Sequence, residues 1–231
     1  MKLIFKDVKL FTLLYFLVFI IDTFIKNSQF RFPFRYISKT LLILILLLFY
    51  IVNQKEKSVF NYRLVLLALF SFIIGDLVLV GENTTKSFAI GGVFFGIAKA
   101  FYIVRFRNKN DFYIKNLLPF LLFCFIYMSL MMNFIYCKLG LYFIPTLIYL
   151  FVVLLLGQIA YLRKNEVNNL SYYLVLIGVL FSMVSDSIAF LKSFYDPSFF
   201  YHKYTIMLFY SLSQYLIVLG ILKENNTLVT S

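Results

Sequence analysis

Apolar residues along the chain fall into eight long runs, separated by short segments that are rich in charged and polar residues. Each run approaches the length of about 20 residues that an α-helix needs to cross the hydrocarbon core of a bilayer. The pattern predicts an all-α fold, a polytopic membrane helix bundle with eight transmembrane helices. The predicted helices span 9–25, 37–52, 62–80, 88–106, 117–136, 141–161, 171–191 and 204–222.

Composition supports lipid as the solvent of this chain. Hydrophobic residues make up 62% of the chain, charged residues only 14%, and the mean hydropathy is +0.90. Soluble domains have about 45–50% apolar and about 25% charged residues, so this chain has too little polar surface to coat a water-soluble globule. No long polar segment interrupts the runs, which predicts one membrane domain over 1–231. The short loops predict antiparallel packing of helices three and four, five and six, and seven and eight.

The net charge of +12 raises the question of a polyanionic partner. The basic residues lie in short loops between apolar runs, which argues against nucleic acid and for the lipid bilayer as the partner. More Lys and Arg lie on the side that carries both termini, which predicts cytoplasmic termini. The Lys-, Asn-, Ile- and Phe-rich composition and the short loops suggest a bacterial inner membrane. The first loop counts against this orientation through Lys26, Arg31, Arg35 and Lys39.

Few ionisable residues lie inside the apolar runs. Asp76, Lys99 and Asp186 are well inside, and Asp22 lies near the end of the first run. A charge at the bilayer centre costs about 2.5–3.5 kcal/mol on insertion scales, so such residues are commonly structural ion pairs or functional groups. Lys99 could pair with either acid, but two acids and one base leave a carboxylate over. This imbalance favours a functional site.

The segments around Asp76 and Asp186 resemble each other. Each aspartate follows a small residue, Gly75 or Ser185, at a similar depth in its run, and four helices separate the two. The similarity is compatible with a parallel repeat of two four-helix units, and equally with chance likeness between apolar helices. A repeat would place both carboxylates at one depth of the membrane.

Polar residues share helix faces with these ionisable groups, which predicts a polar pocket in an apolar bundle. Gly92 and Gly96 are expected to allow a neighbouring helix to approach closely. Ordinary interhelical hydrogen bonding is the alternative interpretation for the serines and the glutamine. The predicted substrate-binding residues are Lys99, Tyr102, Ser182, Ser185, Tyr210 and Gln214.

The residue types that are missing narrow the chemistry. His202 is the single histidine and falls in a predicted loop, so neither a multi-histidine zinc site nor a serine–histidine dyad is expected. Cys124 and Cys137 give no metal framework. No glycine-rich phosphate loop occurs. We therefore expect no metal and no cofactor, and carboxylic acid chemistry remains.

Four segments of the chain resemble the YhhN-like family of lysoplasmalogenases. They are LALFSFIIGDLVLV, GGVFFGIAKAFYIVRF, LVLIGVLFSMVSDSIAFLKSF and YSLSQYLIVLGIL. The resemblance implies hydrolysis of the vinyl-ether bond of lysoplasmalogen to a fatty aldehyde and a glycerophospho-alcohol. It implies Asp76 and Asp186 as the catalytic acid pair, with Tyr210 and Gln214 in the pocket. The chain departs from the family at Lys99, where a histidine three residues before a tyrosine is expected.

The implied reaction suits two carboxyl groups. Hydrolysis of an enol ether begins with proton transfer to carbon, and a second carboxylate stabilises the cation or orients the water. The sequence leaves open which aspartate is the acid. A lysophospholipid is the expected substrate. An ion-coupled membrane carrier and a non-catalytic lipid-binding protein are the alternative functions, because intramembrane Asp and Lys also mark transport paths.

Overall fold

The structure, a computed structural model, describes residues 2–27, 33–81, 84–107, 114–198 and 202–224. These residues form eight long α-helices, one short helix and two 3₁₀ turns, at Gly140–Tyr142 and Arg163–Asn165. The helices are α1 (Lys2–Lys6), α2 (Val8–Asn27), α3 (Phe34–Asn53), α4 (Val59–Gly81), α5 (Thr85–Phe106), α6 (Ile114–Leu139), α7 (Phe143–Leu162), α8 (Asn169–Phe194) and α9 (His202–Leu222).

The eight predicted helices correspond to α2–α9, and the described part of the chain contains no strand. The all-α polytopic bundle is therefore confirmed. Several helices extend beyond their apolar runs: α6 begins at Ile114 and ends at Leu139, against a predicted 117–136. Backbone hydrogen bonding continues through polar residues at the membrane surface, where hydropathy no longer marks the helix.

Seven segments among the described residues are long and apolar enough to cross a membrane. One of them, Leu118–Leu162, has 45 residues and contains both α6 and α7. A single helix of that length would measure about 68 Å, far more than the hydrocarbon core of about 30 Å. The chain instead turns at Gly140, whose φ of +49° is a left-handed conformation that glycine adopts without strain. The segment therefore supplies two crossings, and the chain is a multi-pass membrane protein.

Large apolar side chains point outward along the long helices. Phe24, Phe70, Phe125 and Phe151 are all mostly exposed. In water such a surface would favour aggregation, whereas in a bilayer the acyl chains solvate it. The outward positions are therefore the lipid-facing surface of each helix.

The chain divides into two compact units, 1–101 and 102–231, with the boundary inside α5. The first unit contains α1–α4 and most of α5. The second contains the last turn of α5 and α6–α9. The interpretation of 1–231 as a single domain stays a prediction, as does the parallel repeat.

In the first unit, α4 and α5 approach each other closely at two glycines. A Cβ atom on Gly75 would lie 3.2 Å from the carbonyl oxygen of Gly91 and 2.5 Å from the Phe95 ring. The predicted role of Gly92 in this contact is wrong, because a Cβ there would meet nothing within 4 Å. Adjacent helical residues point about 100° apart, so a shift of one residue moves the contact to another face.

In the second unit, α8 and α9 form the closest helix pair, at Gly178 and Gly220. A Cβ on Gly178 would lie 3.0 Å from the backbone nitrogen of Ile217, and one on Gly220 would lie 3.1 Å from that of Val175. Ser171 Oγ also donates a hydrogen bond of 2.8 Å to the carbonyl of Gly220. The predicted antiparallel neighbours α8 and α9 are confirmed, and the small residues permit near contact of their backbones.

Candidate active-site carboxylates

Asp76 is a fully buried acid held by a lysine of the first unit. Its Oδ1 lies 2.9 Å from Nζ of Lys39. Asp76 lies just over one turn before the end of α4, and Lys39 is in the second turn of α3. Because these consecutive helices are joined by a short connection, the start of α3 and the end of α4 lie at the same end of the unit. The ion pair therefore links two helices in the buried interior.

The sequence did not predict Lys39 as a partner of Asp76. The predicted first loop is also longer than the one in the structure. The helix α3 begins at Phe34, directly after Pro33, so Arg35 is helical although it precedes the predicted helix 37–52. Lys39, which that predicted helix already contains, was counted with the first loop but is also helical. An apolar run in a hydropathy profile ends at a charged residue, because the profile takes no account of an acid elsewhere in the fold that pairs with that residue. The spacing of four residues between the two cations, on one helix face, is the signal that could have revealed them. Arg31 lies outside the described residues.

Asp22, near the end of α2, is a second buried acid in this unit. Nη1 of Arg35 lies 3.1 Å from its Oδ1 and 3.2 Å from its Oδ2, and also donates to the Asp22 carbonyl at 3.2 Å. Ser38 Oγ donates a hydrogen bond of 2.6 Å to Oδ1. One face of α3 thus presents Arg35 and Ser38 to α2, and Lys39 to α4.

Lys99 on α5 is almost completely buried in the first unit. Its Nζ lies 6.0 Å from the ring centroid of Phe72 and 5.9 Å from that of Phe95. An ammonium at this distance from the face of an aromatic ring is attracted by the ring quadrupole. The rings thus provide part of the environment that tolerates this cation. Its predicted role in substrate binding stays a prediction.

Asp186 is the buried acid of the second unit, on α8. The hydroxyl of Tyr149, on α7, donates a hydrogen bond of 2.9 Å to its Oδ1. Both side chains are buried. Tyr149 was missed because the chain has 18 tyrosines and no feature of the sequence around this one distinguishes it. The hydroxyl fixes one oxygen of the carboxyl group.

The serines around Asp186 connect helices. Ser185 Oγ donates to the carbonyl of Ile206 on α9 at 3.0 Å. Ser187 Oγ lies 2.8 Å from the hydroxyl of Tyr127 on α6. Ser182 is buried on the same helix, one turn before the acid. For Ser185 and Ser187 the contacts correspond to the interhelical hydrogen bonding that was the alternative interpretation of these residues.

Three of the other predicted pocket residues are buried in the second unit. The hydroxyl of Tyr102, in the last turn of α5, donates to Oε1 of Gln214 on α9 at 3.5 Å. Tyr210 lies one turn before Gln214 on α9. The structure thus brings Tyr102 and Gln214 together, as a polar link between α5 and α9.

A buried charge cluster that was not predicted lies near the ends of α5, α7 and α9. Nη2 of Arg105 and Nη2 of Arg163 each lie 3.0 Å from Oε2 of Glu224. The Arg163 guanidinium also stacks 4.4 Å from the ring centroid of Phe106. Burial lowers the pKa of Arg163 to about 10, while Glu224 acts in the opposite direction, so Arg163 is cationic at neutral pH. Arg163 and Glu224 lie just beyond the predicted helices 141–161 and 204–222, and Arg105 lies in the last turn of the predicted helix 88–106, so hydropathy does not indicate that the three residues pair.

Buried carboxylates, a lysine and tyrosines define the chemistry of these sites. Within the described residues, no group of three or more His, Cys, Asp or Glu side chains is placed to hold a metal ion. The fold and the buried polar residues together define a multi-pass α-helical membrane protein with ionisable groups enclosed by its helices.

The chain belongs to the YhhN family, which matches residues 34–221. The matched region begins at the start of α3 and contains Lys39, Asp76, Lys99 and Asp186, whereas Asp22 precedes it. Comparison with curated proteins and with solved structures gives no match.

Proposed function

We propose that the protein is a membrane-embedded hydrolase that cleaves the vinyl-ether bond of lysoplasmalogen-type lysolipids. The products are a fatty aldehyde and a glycerophospho-alcohol. Asp76 and Asp186 are the proposed catalytic carboxylates. Family membership and the implied activity of the YhhN-like family support the proposal. The observation that carries it is the buried ion pair between Asp76 and Lys39, because an anionic carboxylate inside a membrane helix is retained at a cost.

The contacts suggest a division of roles. An ion pair with an ammonium requires Asp76 to be an anion, so it accepts protons or stabilises positive charge and does not donate. We therefore assign the proton donor to Asp186, whose Oδ1 already accepts the Tyr149 hydroxyl. A carboxyl group in this contact can carry its proton on the other oxygen.

The reaction proceeds by protonation of carbon. Asp186 transfers its proton to the vinyl carbon remote from the ether oxygen, which leaves an oxocarbenium ion that the Asp76 anion stabilises. Water adds to the cationic carbon and returns one proton to Asp186, which gives a hemiacetal. The hemiacetal collapses to the aldehyde and the free hydroxyl of the glycerol. One vinyl ether and one water are consumed, and no other reactant is required.

The remaining predicted site residues are proposed to bind the substrate. The set comprises Lys99, Tyr102, Ser182, Ser185, Tyr210 and Gln214. Lys99 stands where a histidine is expected in this family, and this difference affects which substrate is bound. The ammonium of a lysine binds an anionic group, whereas a neutral imidazole exchanges a proton near neutral pH.

We further propose that both termini are cytoplasmic and that the protein resides in a bacterial inner membrane. The basic residues that opposed this orientation included Arg35 and Lys39. Both pair with buried acids, so their charges are compensated within the protein. On the side of the termini, Arg105 and Arg163 are likewise compensated by Glu224. The excess of basic residues on that side is therefore unchanged, and the proposed orientation rests on it.

The test is release of aldehyde from lysoplasmenylethanolamine by the purified protein in detergent. The 1-O-alkyl and 1-acyl lysolipids serve as substrate controls. Asp76→Asn and Asp186→Asn should each reduce the rate about 100- to 10,000-fold. Asp196→Asn, at a surface acid that accepts hydrogen bonds from Ser198, should keep the wild-type rate. Failure of the wild-type protein to cleave any of these lipids, with proton-coupled uptake in liposomes that requires Asp76, would support the carrier instead.

A further inference from the structure

Arg35 is bound to Asp22 through one of its three guanidinium nitrogens. Each of the side-chain contacts to the Asp22 carboxylate and carbonyl uses Nη1. Among the contacts of the described residues, none engages Nε or Nη2. The side chain remains 12% exposed, in the first turn of α3. The guanidinium is therefore fixed by Asp22 through Nη1, and the side chain as a whole remains partly exposed.

The Nε–Nη2 edge, which the contacts to Asp22 do not use, has the geometry of an anion-binding group. Nε and Nη2 present parallel N–H donors that match two oxygens of a phosphate or carboxylate. Arginine stays charged at every physiological pH. Because Asp22 contacts Nη1, its carboxylate lies away from the Nε–Nη2 edge and does not block it. Ser38 holds the same carboxylate at 2.6 Å, which orients Asp22 and through it the arginine.

The position of Arg35 relative to Asp76 identifies the class of anion. Arg35 precedes Lys39 by four residues on α3, a rise of about 6 Å towards the beginning of the helix. Lys39 is the ion-pair partner of Asp76. In a lysolipid that enters from the bilayer, the phosphate lies nearer the membrane surface than the vinyl ether, separated from it by the glycerol backbone. A substrate with its ether at the level of Asp76 would place its phosphate about one helical turn closer to the surface.

We propose that Arg35 binds the phosphate of the lysolipid substrate, with Asp22 and Ser38 as residues that position it. This inference rests on the proposed function. It adds that the enzyme recognises the phosphate common to lysophospholipid headgroups, and that a phosphate-free alkenylglycerol is a poor substrate. Rigid placement by Asp22 lowers the side-chain entropy lost when the phosphate binds.

The kinetic test compares lysoplasmenylethanolamine with 1-O-alkenylglycerol, which has the same vinyl ether but no phosphate. For Arg35→Gln we expect the KM for the phospholipid to rise about 10- to 100-fold, while kcat/KM for the alkenylglycerol stays unchanged. Arg35→Lys should restore part of the loss, and Asp22→Asn should raise the KM less than Arg35→Gln does. Arg63→Gln, at an exposed arginine of α4, is the matched control and should behave as wild type. Equal losses with both substrates, or no change with either, would overturn the proposal.

A binding test separates this inference from the proposed function. The uncleavable 1-O-alkyl lysophosphatidylethanolamine should raise the melting temperature of wild-type protein in detergent more than 1-O-alkylglycerol does, and Arg35→Gln should abolish the difference. Glycerophosphoethanolamine, which has the headgroup but no hydrocarbon chain, should raise the melting temperature less than the alkyl lysolipid does, because the site takes a lipid headgroup. Binding that requires Arg35, without any aldehyde release, would retain the phosphate site and refute the hydrolase. If the protein releases aldehyde but Arg35→Gln leaves the stabilisation unchanged, the lipid binds as a bilayer lipid does at the protein surface. That result would retain the hydrolase and refute the phosphate site.

Discussion

Lys39 and Asp76 form an ion pair of 2.9 Å in which the acid is completely buried and the lysine nearly so. The two residues come from consecutive helices, α3 and α4. A pair of this kind has two separable properties. It contributes to stability only while both partners are present, and it maintains one carboxylate as an anion inside an apolar environment.

Removal of Lys39 alone should destabilise the protein more than removal of both partners. Lys39→Met leaves the Asp76 charge buried without its lysine, and we expect a loss of about 3–5 kcal/mol in the free energy of unfolding. The double variant Lys39→Met/Asp76→Asn should recover most of that loss. Unfolding in detergent micelles, followed by thermal melting, provides the four values of the double-mutant cycle. Additive effects would show that the two side chains do not interact.

Tyr149→Phe should lower catalytic activity because it removes the hydroxyl that fixes Oδ1 of Asp186. We expect a fall in kcat of about tenfold and a loss of about 1–2 kcal/mol in stability. Tyr127→Phe is the matched control, since that hydroxyl contacts Ser187 and not the acid. Equal effects of the two substitutions on aldehyde release would contradict a specific role for Tyr149.

Gly178→Ala should destabilise the contact between α8 and α9. The added methyl group would lie 3.0 Å from the backbone nitrogen of Ile217, so the helices must separate. The expected loss is about 1–3 kcal/mol. Gly92→Ala, at a position with open space around it, should be neutral or stabilise the protein by up to about 1 kcal/mol. Thermal melting of the two variants side by side measures the difference.

Glu224→Gln should destabilise the second unit, because Arg105 and Arg163 would then share a neutral amide. We expect a loss of about 1–3 kcal/mol. The lowered pKa of Arg163, about 10, lies well above neutrality, so its charge is the same in the folded and unfolded states below about pH 9. Its contribution to stability should be flat there and should rise at higher pH, where the folded state loses the proton first. Lys223→Gln removes a charge from an exposed neighbour and should leave the melting temperature unchanged.

Cys137 should react with a membrane-impermeant maleimide added to intact cells. It is exposed and lies two residues before the end of α6, which faces the exterior if the termini are cytoplasmic. A Cys124→Ala background leaves it as the single thiol among the two cysteines of the chain. Labelling only after the cells are permeabilised would reverse the proposed orientation.

Hydropathy predicted the eight long helices because apolar length is a direct requirement of the bilayer. It failed where charges compensate each other. The predicted helix begins at 37, because Arg35 is charged and hydropathy excludes it. In the structure Asp22 pairs with Arg35 and compensates its charge. Asp76 and Asp186 stood out as isolated acids in apolar runs. Their partners Lys39 and Tyr149 did not, because pairing depends on which helices pack together, and a single sequence does not contain that information.

The stripe of α3 that carries Arg35 and Lys39 has a mechanical consequence. Arg35 pairs with Asp22 on the preceding helix α2, and Lys39 pairs with Asp76 on the following helix α4. Rotation or sliding of α3 would therefore break both ion pairs together. Insertion of a single residue between the two cations would turn one of them by about 100° and disconnect it. Homologous chains that keep both attachments should therefore tolerate extra residues before Arg35 but none within this interval.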